Sequence, residues 1–157
     1  MPEPTVIAGL SVLAAITVIG CYLDIKYRRL PNWLCLATAA GGLAYVLLSA
    51  DLNAAMLAAA HGAAALVVGM VIFKFGMFGG GDAKFYGGLA CWIPITKGFF
   101  LLALASACTL VFVLVWFVAS AGKQKTDAGG GGKKAMLPFG VPISIASWIT
   151  VYLLSAG

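Results

Sequence analysis

The fold class predicted for this chain is an all-α integral membrane protein, a bundle of about six transmembrane helices, and three features predict it. Of its 157 residues, 62% are hydrophobic and 10% charged, with a mean hydropathy of +1.04. A soluble domain of this length needs far more polar surface. Six apolar runs approach the roughly 20 residues that cross a hydrocarbon core, at about 4–23, 31–50, 53–73, 82–96, 98–120 and 137–155. The basic residues, finally, fall almost entirely into alternate connections between those runs.

The first run follows Met1-Pro2-Glu3-Pro4-Thr5, which has no Lys or Arg, and no small-residue cleavage site succeeds it. It is therefore expected to stay as a helix and not to be removed as a signal peptide. It ends in CYLDIKYRRLPNW (residues 21–33), where Pro31-Asn32 suits the start of the second helix. In the third run the small residues from Ala58 to Ala65 around Gly62 point to close helix packing. The fourth is short and glycine-rich, as expected of a helix packed among neighbours. Between the fifth and sixth lies GKQKTDAGGGGKK (residues 122–134), polar and without apolar periodicity, which reads as a flexible loop. Residues 1–157 thus form a single polytopic domain.

Orientation follows from charge. Lys26, Arg28, Arg29, Lys74, Lys84, Lys123, Lys125, Lys133 and Lys134 share one side, which leaves only Lys97 of the ten basic residues on the other. By the positive-inside rule that side is cytoplasmic and both termini lie outside. The formal charge of +5 then reflects topology and contact with anionic lipid heads, with no nucleic acid required. Cys21, Cys35, Cys91 and Cys108 stand singly, without CxxC or a His at ligand spacing, so they read as ordinary apolar residues. No metal or cofactor site is expected.

The same topology brings two acids to one face. Asp24 closes the first helix and Asp82 opens the fourth, directly after Gly79, Gly80 and Gly81 in FGMFGGGDAKFYGG (residues 75–88). Ionisable groups at membrane depth are costly and usually functional. The other acids, Glu3, Asp51 and Asp127, occupy terminal or loop positions where a solvated carboxylate needs no explanation. Each feature also has a bland interpretation. The cluster around Asp24 serves equally as a topogenic signal, and the glycines with Asp82 as a turn and N-cap. His61, deep in the third run, fits an interhelical hydrogen bond better than proton relay. Lys84 and the four tryptophans, Trp33, Trp92, Trp116 and Trp148, read as interfacial or packing residues.

Two carboxyls sharing a site separate their titrations, so near neutral pH one holds a proton while the other is ionised. That pair suits aspartic proteolysis, in which one acid takes a proton from water and the other donates toward the carbonyl oxygen. A helix N-terminus favours ionised Asp82 and a helix C-terminus protonated Asp24, although Arg28, one turn on, favours the Asp24 anion.

These residues resemble a known family. Gly79-Gly80-Gly81-Asp82 is similar to the GxGD signature of intramembrane-type aspartic proteases. Asp24, Arg28, Leu30, Pro31 and Asn32 resemble the first-aspartate motif of prepilin peptidases, and Leu137-Pro138-Phe139-Gly140-Val141-Pro142 resembles the stretch that opens that family's last helix. The likeness is nearest to the short peptidases of tight-adherence (Flp) pilus systems. It implies a hydrolase of the bacterial inner membrane, with Asp24 and Asp82 catalytic and Gly79, Gly81, Arg28, Pro31, Asn32 and Pro138 shaping the site. Its partners would be prepilin or pseudopilin substrates, cut after a glycine at the cytoplasmic face to release a basic leader. Longer relatives carry an N-terminal CxxC domain associated with N-methylation; it is not present in this sequence, which leaves methyltransferase activity open. Nothing in the sequence bears on oligomeric state. The rival function is a small proton-coupled transporter using Asp24 and Asp82, but transport usually places polar groups at the midplane, which here holds little besides His61.

Overall fold

The protein, described by a computed structural model over residues 3–75, 79–121 and 139–156, folds as six α-helices. They are α1 (Pro4–Tyr27), α2 (Asn32–Ser49), α3 (Leu52–Lys74), α4 (Gly80–Ala90), α5 (Gly98–Ala121) and α6 (Gly140–Ala156). A single 3-10 turn, Ile95–Lys97, precedes α5. No strand occurs among the described residues. The loop expected at 122–134 and the shaping residue Pro138 lie outside them.

Helix starts and stops have local causes. Pro4 occupies the first turn of α1, where a missing N–H is harmless. The helix ends at Arg28 in a left-handed conformation (φ 51°, ψ 37°), with the Arg28 N–H closing back onto the Asp24 carbonyl. Such a backbone costs about 1–2 kcal/mol for a residue with a Cβ. The Asp51 side chain caps α3 by accepting the Ala54 N–H at 2.7 Å.

Four stretches are long and apolar enough to cross a membrane: α1, α2, α3 and Ile95–Val118; α6 is a shorter apolar helix. The fourth run departs from expectation. Its helix stops at Ala90 after 11 residues, about 16 Å at ~1.5 Å per residue, roughly half a hydrocarbon core. The chain then turns within the bundle, and Gly98, which opens α5, lies against the His61 ring in the body of α3. His61 anchors this turn by donating from Nδ1 to the Ile93 carbonyl at 2.9 Å, a structural bond as favoured for it above, although it joins α3 to a turn and not to another helix.

α4 packs against both α2 and α3 and also touches α6. Lipid tails are as apolar as side chains, so close van der Waals contact must hold such helices together. Glycines permit it. A Cβ on Gly88 would stand 2.8 Å from the Cys35 carbonyl oxygen, and one on Gly42 would stand 2.9 Å from the Cys91 backbone. Phe85, Leu89, Ala90 and Trp92 complete the core; the Trp92 indole stacks on Tyr45 and donates to the Thr38 carbonyl at 2.9 Å. The other three tryptophans are more exposed, as expected of interfacial aromatics. Buried hydroxyls of Thr17, Thr38, Ser144, Ser147 and Thr150 bond to carbonyls of their own helices. No described buried side-chain polar atom lacks a partner, which a low-dielectric surrounding demands.

Because the obstacle at Gly88 is backbone, it cannot swing aside. Gly88→Ala is expected to cost about 1–3 kcal/mol by overpacking, read as a lower midpoint of thermal unfolding in detergent. An unchanged midpoint would show that α2 and α4 are not held at this distance.

Candidate active site

Five helices contribute to one end of the bundle: α1 and α3 finish there, and α2, α4 and α6 begin there. The α1–α2 connection is short, and the left-handed Arg28 reverses the chain so that Pro31 can precede α2. Leu30 thereby comes to lie over Gly81, at the start of α4.

Between these elements is an open cavity of about 600 Å³. Asp24, Asp82, Gly79, Gly81, Arg28, Pro31 and Asn32 all line it, together with Leu23, Tyr27, Arg29, Leu30 and Gly80. Seven of the residues singled out from sequence therefore meet at one site, although 58 positions separate the two acids (82 − 24).

The acids have different surroundings. Asp24 is buried, and its Oδ2 accepts the Gly140 backbone N–H at 2.8 Å. Gly140 is the first residue of α6, so the positive end of that helix points at the Asp24 carboxylate. The same atom would stand 2.7 Å from a Cβ on Gly140, which leaves no room there for a side chain. Sequence reasoning singled out Pro138 in this stretch and passed over Gly140. The usable signal was a glycine at the start of an apolar helix, within a motif already recognised.

Asp82 is half-buried on the first turn of α4, outside the four stretches long enough to span. Burial, and then the nearby Asp24 charge, push its carboxyl up to about 7. Its surroundings thus reverse the expectation from the helix dipole: loss of water and a like charge outweigh the N-terminal field. Lys84, assigned above to the interface, reaches Asn32 and donates to its Oδ1 at 2.9 Å, tying α4 to α2 at the rim.

The three glycines act sterically. None has a positive φ, so what distinguishes them is the space at each Cα and not an unusual backbone conformation. A Cβ on Gly79 would stand 2.5 Å from Asp82 Oδ2, whereas one on Gly81 would make ordinary contact with Leu30 at 3.5 Å. Gly80 faces the Phe73 ring at 3.3 Å. Gly80, which stands at the x of the GxGD pattern, is therefore not the roomiest of the three.

Among known families, a model described as the type IV leader peptidase family matches residues 11–114 of this chain. No curated protein and no solved structure matches this chain.

Infrared titration of the protonated-carboxyl band can test the electrostatics directly. A band persisting toward pH 7 is expected and should vanish in Asp82→Asn. In Asp24→Asn its midpoint should fall, since a like charge is gone, yet stay above the ordinary carboxylate range because burial is the larger cause. A midpoint near 4 in the unaltered protein would contradict the buried, charge-coupled site. Gly140→Ala should lower the thermal midpoint while Gly81→Ala leaves it equal or slightly higher, as expected for a helical Gly→Ala with room to spare.

Proposed function

From the premise that this chain belongs to the type IV leader peptidase family, whose model matches about two-thirds of it, we propose that it is an aspartic endopeptidase using Asp24 and Asp82. This is a multi-pass membrane protein of a peptidase family whose substrates are prepilin-type proteins. The observation that carries the aspartic mechanism is the meeting of the two acids in a single cavity.

Their surroundings support a division of labour. Asp24 accepts the Gly140 N–H, a bond that favours its anion and works against the cost of burying it. Asp82, at about 7, retains a proton on a useful fraction of molecules near neutral pH. Asp24 then accepts a proton from water as the water oxygen bonds to the scissile carbonyl carbon, and Asp82 protonates the carbonyl oxygen. The resulting gem-diol collapses as its C–N bond breaks. The proton held by Asp24 passes to the leaving amine, and a diol hydroxyl returns a proton to Asp82. Both acids end as they began. Gly79 gives Asp82 room to move, and Arg28, Pro31 and Asn32 hold the α1–α2 turn against the cavity. Pro138, outside the described residues, is proposed by resemblance alone to shape the start of α6.

The substrate we propose is a type IV prepilin of the Flp kind, cut at the cytoplasmic face of the inner membrane to release its basic leader. Support comes from the motifs and from the nine-to-one distribution of Lys and Arg. A single polytopic domain with external termini completes this reading.

Co-expression with a prepilin, with the new N-terminus read by mass spectrometry, is the decisive experiment. Asp24→Asn and Asp82→Asn should each reduce cleavage by about 100-fold or more, with insertion and thermal stability retained. Near wild-type cleavage in either would remove that acid from the mechanism. Asp51→Asn should be silent, because Asn caps a helix as well as Asp does. For topology, Lys74→Cys in a cysteine-free background should react with an impermeant thiol reagent from the cytoplasmic side, and Leu52→Cys from outside. The opposite pattern would invert the orientation and with it the proposed face of cleavage.

A further inference from the structure

A lysine that can only donate decides how the Asn32 side chain sits at the rim of the acidic cavity. Lys84, two residues after Asp82 on α4, donates from Nζ to Asn32 Oδ1 at 2.9 Å, across 52 residues of sequence. An ammonium has no acceptor, so of the two ends of the Asn32 amide it must take the oxygen. The N–H2 end is thereby turned away from Lys84, and Asn32 lines the same cavity as Asp24 and Asp82. We propose that this amide is a substrate-binding donor: its N–H2 bonds a backbone carbonyl of the substrate close to the scissile bond, and Lys84 is the positioning residue that keeps the donor end toward the cavity. This role rests on the peptidase reading above and adds a binding residue to it.

Local structure leaves the amide available. Asn at a helix start commonly spends its side chain on capping. Here the N-cap is Pro31, in an extended conformation (φ −71°, ψ 147°), and no side chain caps the helix. Asn32 is the first residue of α2, one position too late to cap it, so its side chain is held from α4 and not by its own helix.

The chemistry of the cavity favours a neutral donor. A peptide that is cut presents an extended backbone to the acids, and each carbonyl that leaves water needs a donor. Asp24 and Asp82 serve the reacting carbonyl, so its neighbours require other groups. Arg28 and Arg29 also line the cavity, but their positive charge repels the basic leader proposed above; the Tyr27 ring lies against Lys26. An amide donates without that repulsion. Asn32 is exposed at the rim, which suits a group that holds the chain beside the reacting carbonyl and does not stabilise charge on it. Such a bond is made equally in ground and transition states, so its loss appears in KM.

Cleavage kinetics with a purified prepilin in detergent separate this role from a simple tie between α2 and α4. Asn32→Asp keeps an acceptor for Lys84 and removes the donor, whereas Asn32→Ala removes both and adds no charge. Each should raise KM about tenfold, the loss expected of one hydrogen bond, with kcat within about twofold. The thermal midpoint should hold, because the position is exposed. Lys84→Met frees the amide to take both orientations, so it is competent about half the time and KM should rise about twofold. Lys84→Arg, again a pure donor, should lie closer to the unaltered protein than Lys84→Met does. An unchanged KM in Asn32→Asp would reduce the Lys84 bond to a tie and overturn the proposal. Unchanged KM in both Asn32 variants, or a loss confined to kcat, would overturn it as well. Failure of the peptidase reading is distinguishable, since the unaltered protein would then leave the prepilin uncut.

Discussion

Backbone-level contact of α4 with α2 and α3 is the constraint on which the rest of this protein depends. Gly42 and Gly88 close one side, and Gly69 against Ala83 closes the other. In lipid no hydrophobic gain rewards burying one apolar helix against another, so contact area obtained by shape must supply the attraction. A helix of 11 residues has little area to offer. Being gripped on both sides compensates for that, and it fixes the position of Asp82 on the first turn.

The second acid is held by a different device. Asp24 belongs to the last turns of a long helix, and the Gly140 N–H reaches its carboxylate across 116 residues of sequence. This links the first helix to the last at the end of the bundle where the acids meet. It also gives the two carboxyls unlike surroundings: Asp24 is the more deeply buried and accepts the Gly140 N–H, whereas Asp82 is half-buried on the first turn of α4 with the Asp24 charge nearby. Unlike surroundings push the titrations of chemically identical groups apart. The αL conformation of Arg28 stores backbone strain beside them, and it is tolerated because it turns the chain quickly enough to bring Leu30 over Gly81.

A short α4 has a further structural consequence. Since α5 starts beside His61 and does not cross back from the far surface, α3 and α5 need not pack together along their length. The opening between them is lined almost wholly by apolar side chains. Truncation of one helix therefore accompanies both a firmly held carboxylate and an apolar recess between α3 and α5.

Much of this was legible from local pattern. Composition determined the solvent, the lengths of the apolar runs determined six helices, and the expense of charge in hydrocarbon drew attention to Asp24 and Asp82. Positive-inside bias put both on one face before any contact was known. What remained hidden shares a physical cause: helices that are apolar on nearly every face carry no amphipathic stripe to show which side turns inward. The partner of Asp24, the early stop of α4 and the rank of the three glycines arise from which surfaces fit together. Gly79 is restricted by the Asp82 carboxylate and Gly81 only by ordinary contact with Leu30, a distinction absent from three identical letters in a row. Sequence alone determined which residues carry charge and how long the helices can be; the tertiary structure decided which of them meet, because in a bilayer proximity follows from shape and not from polarity.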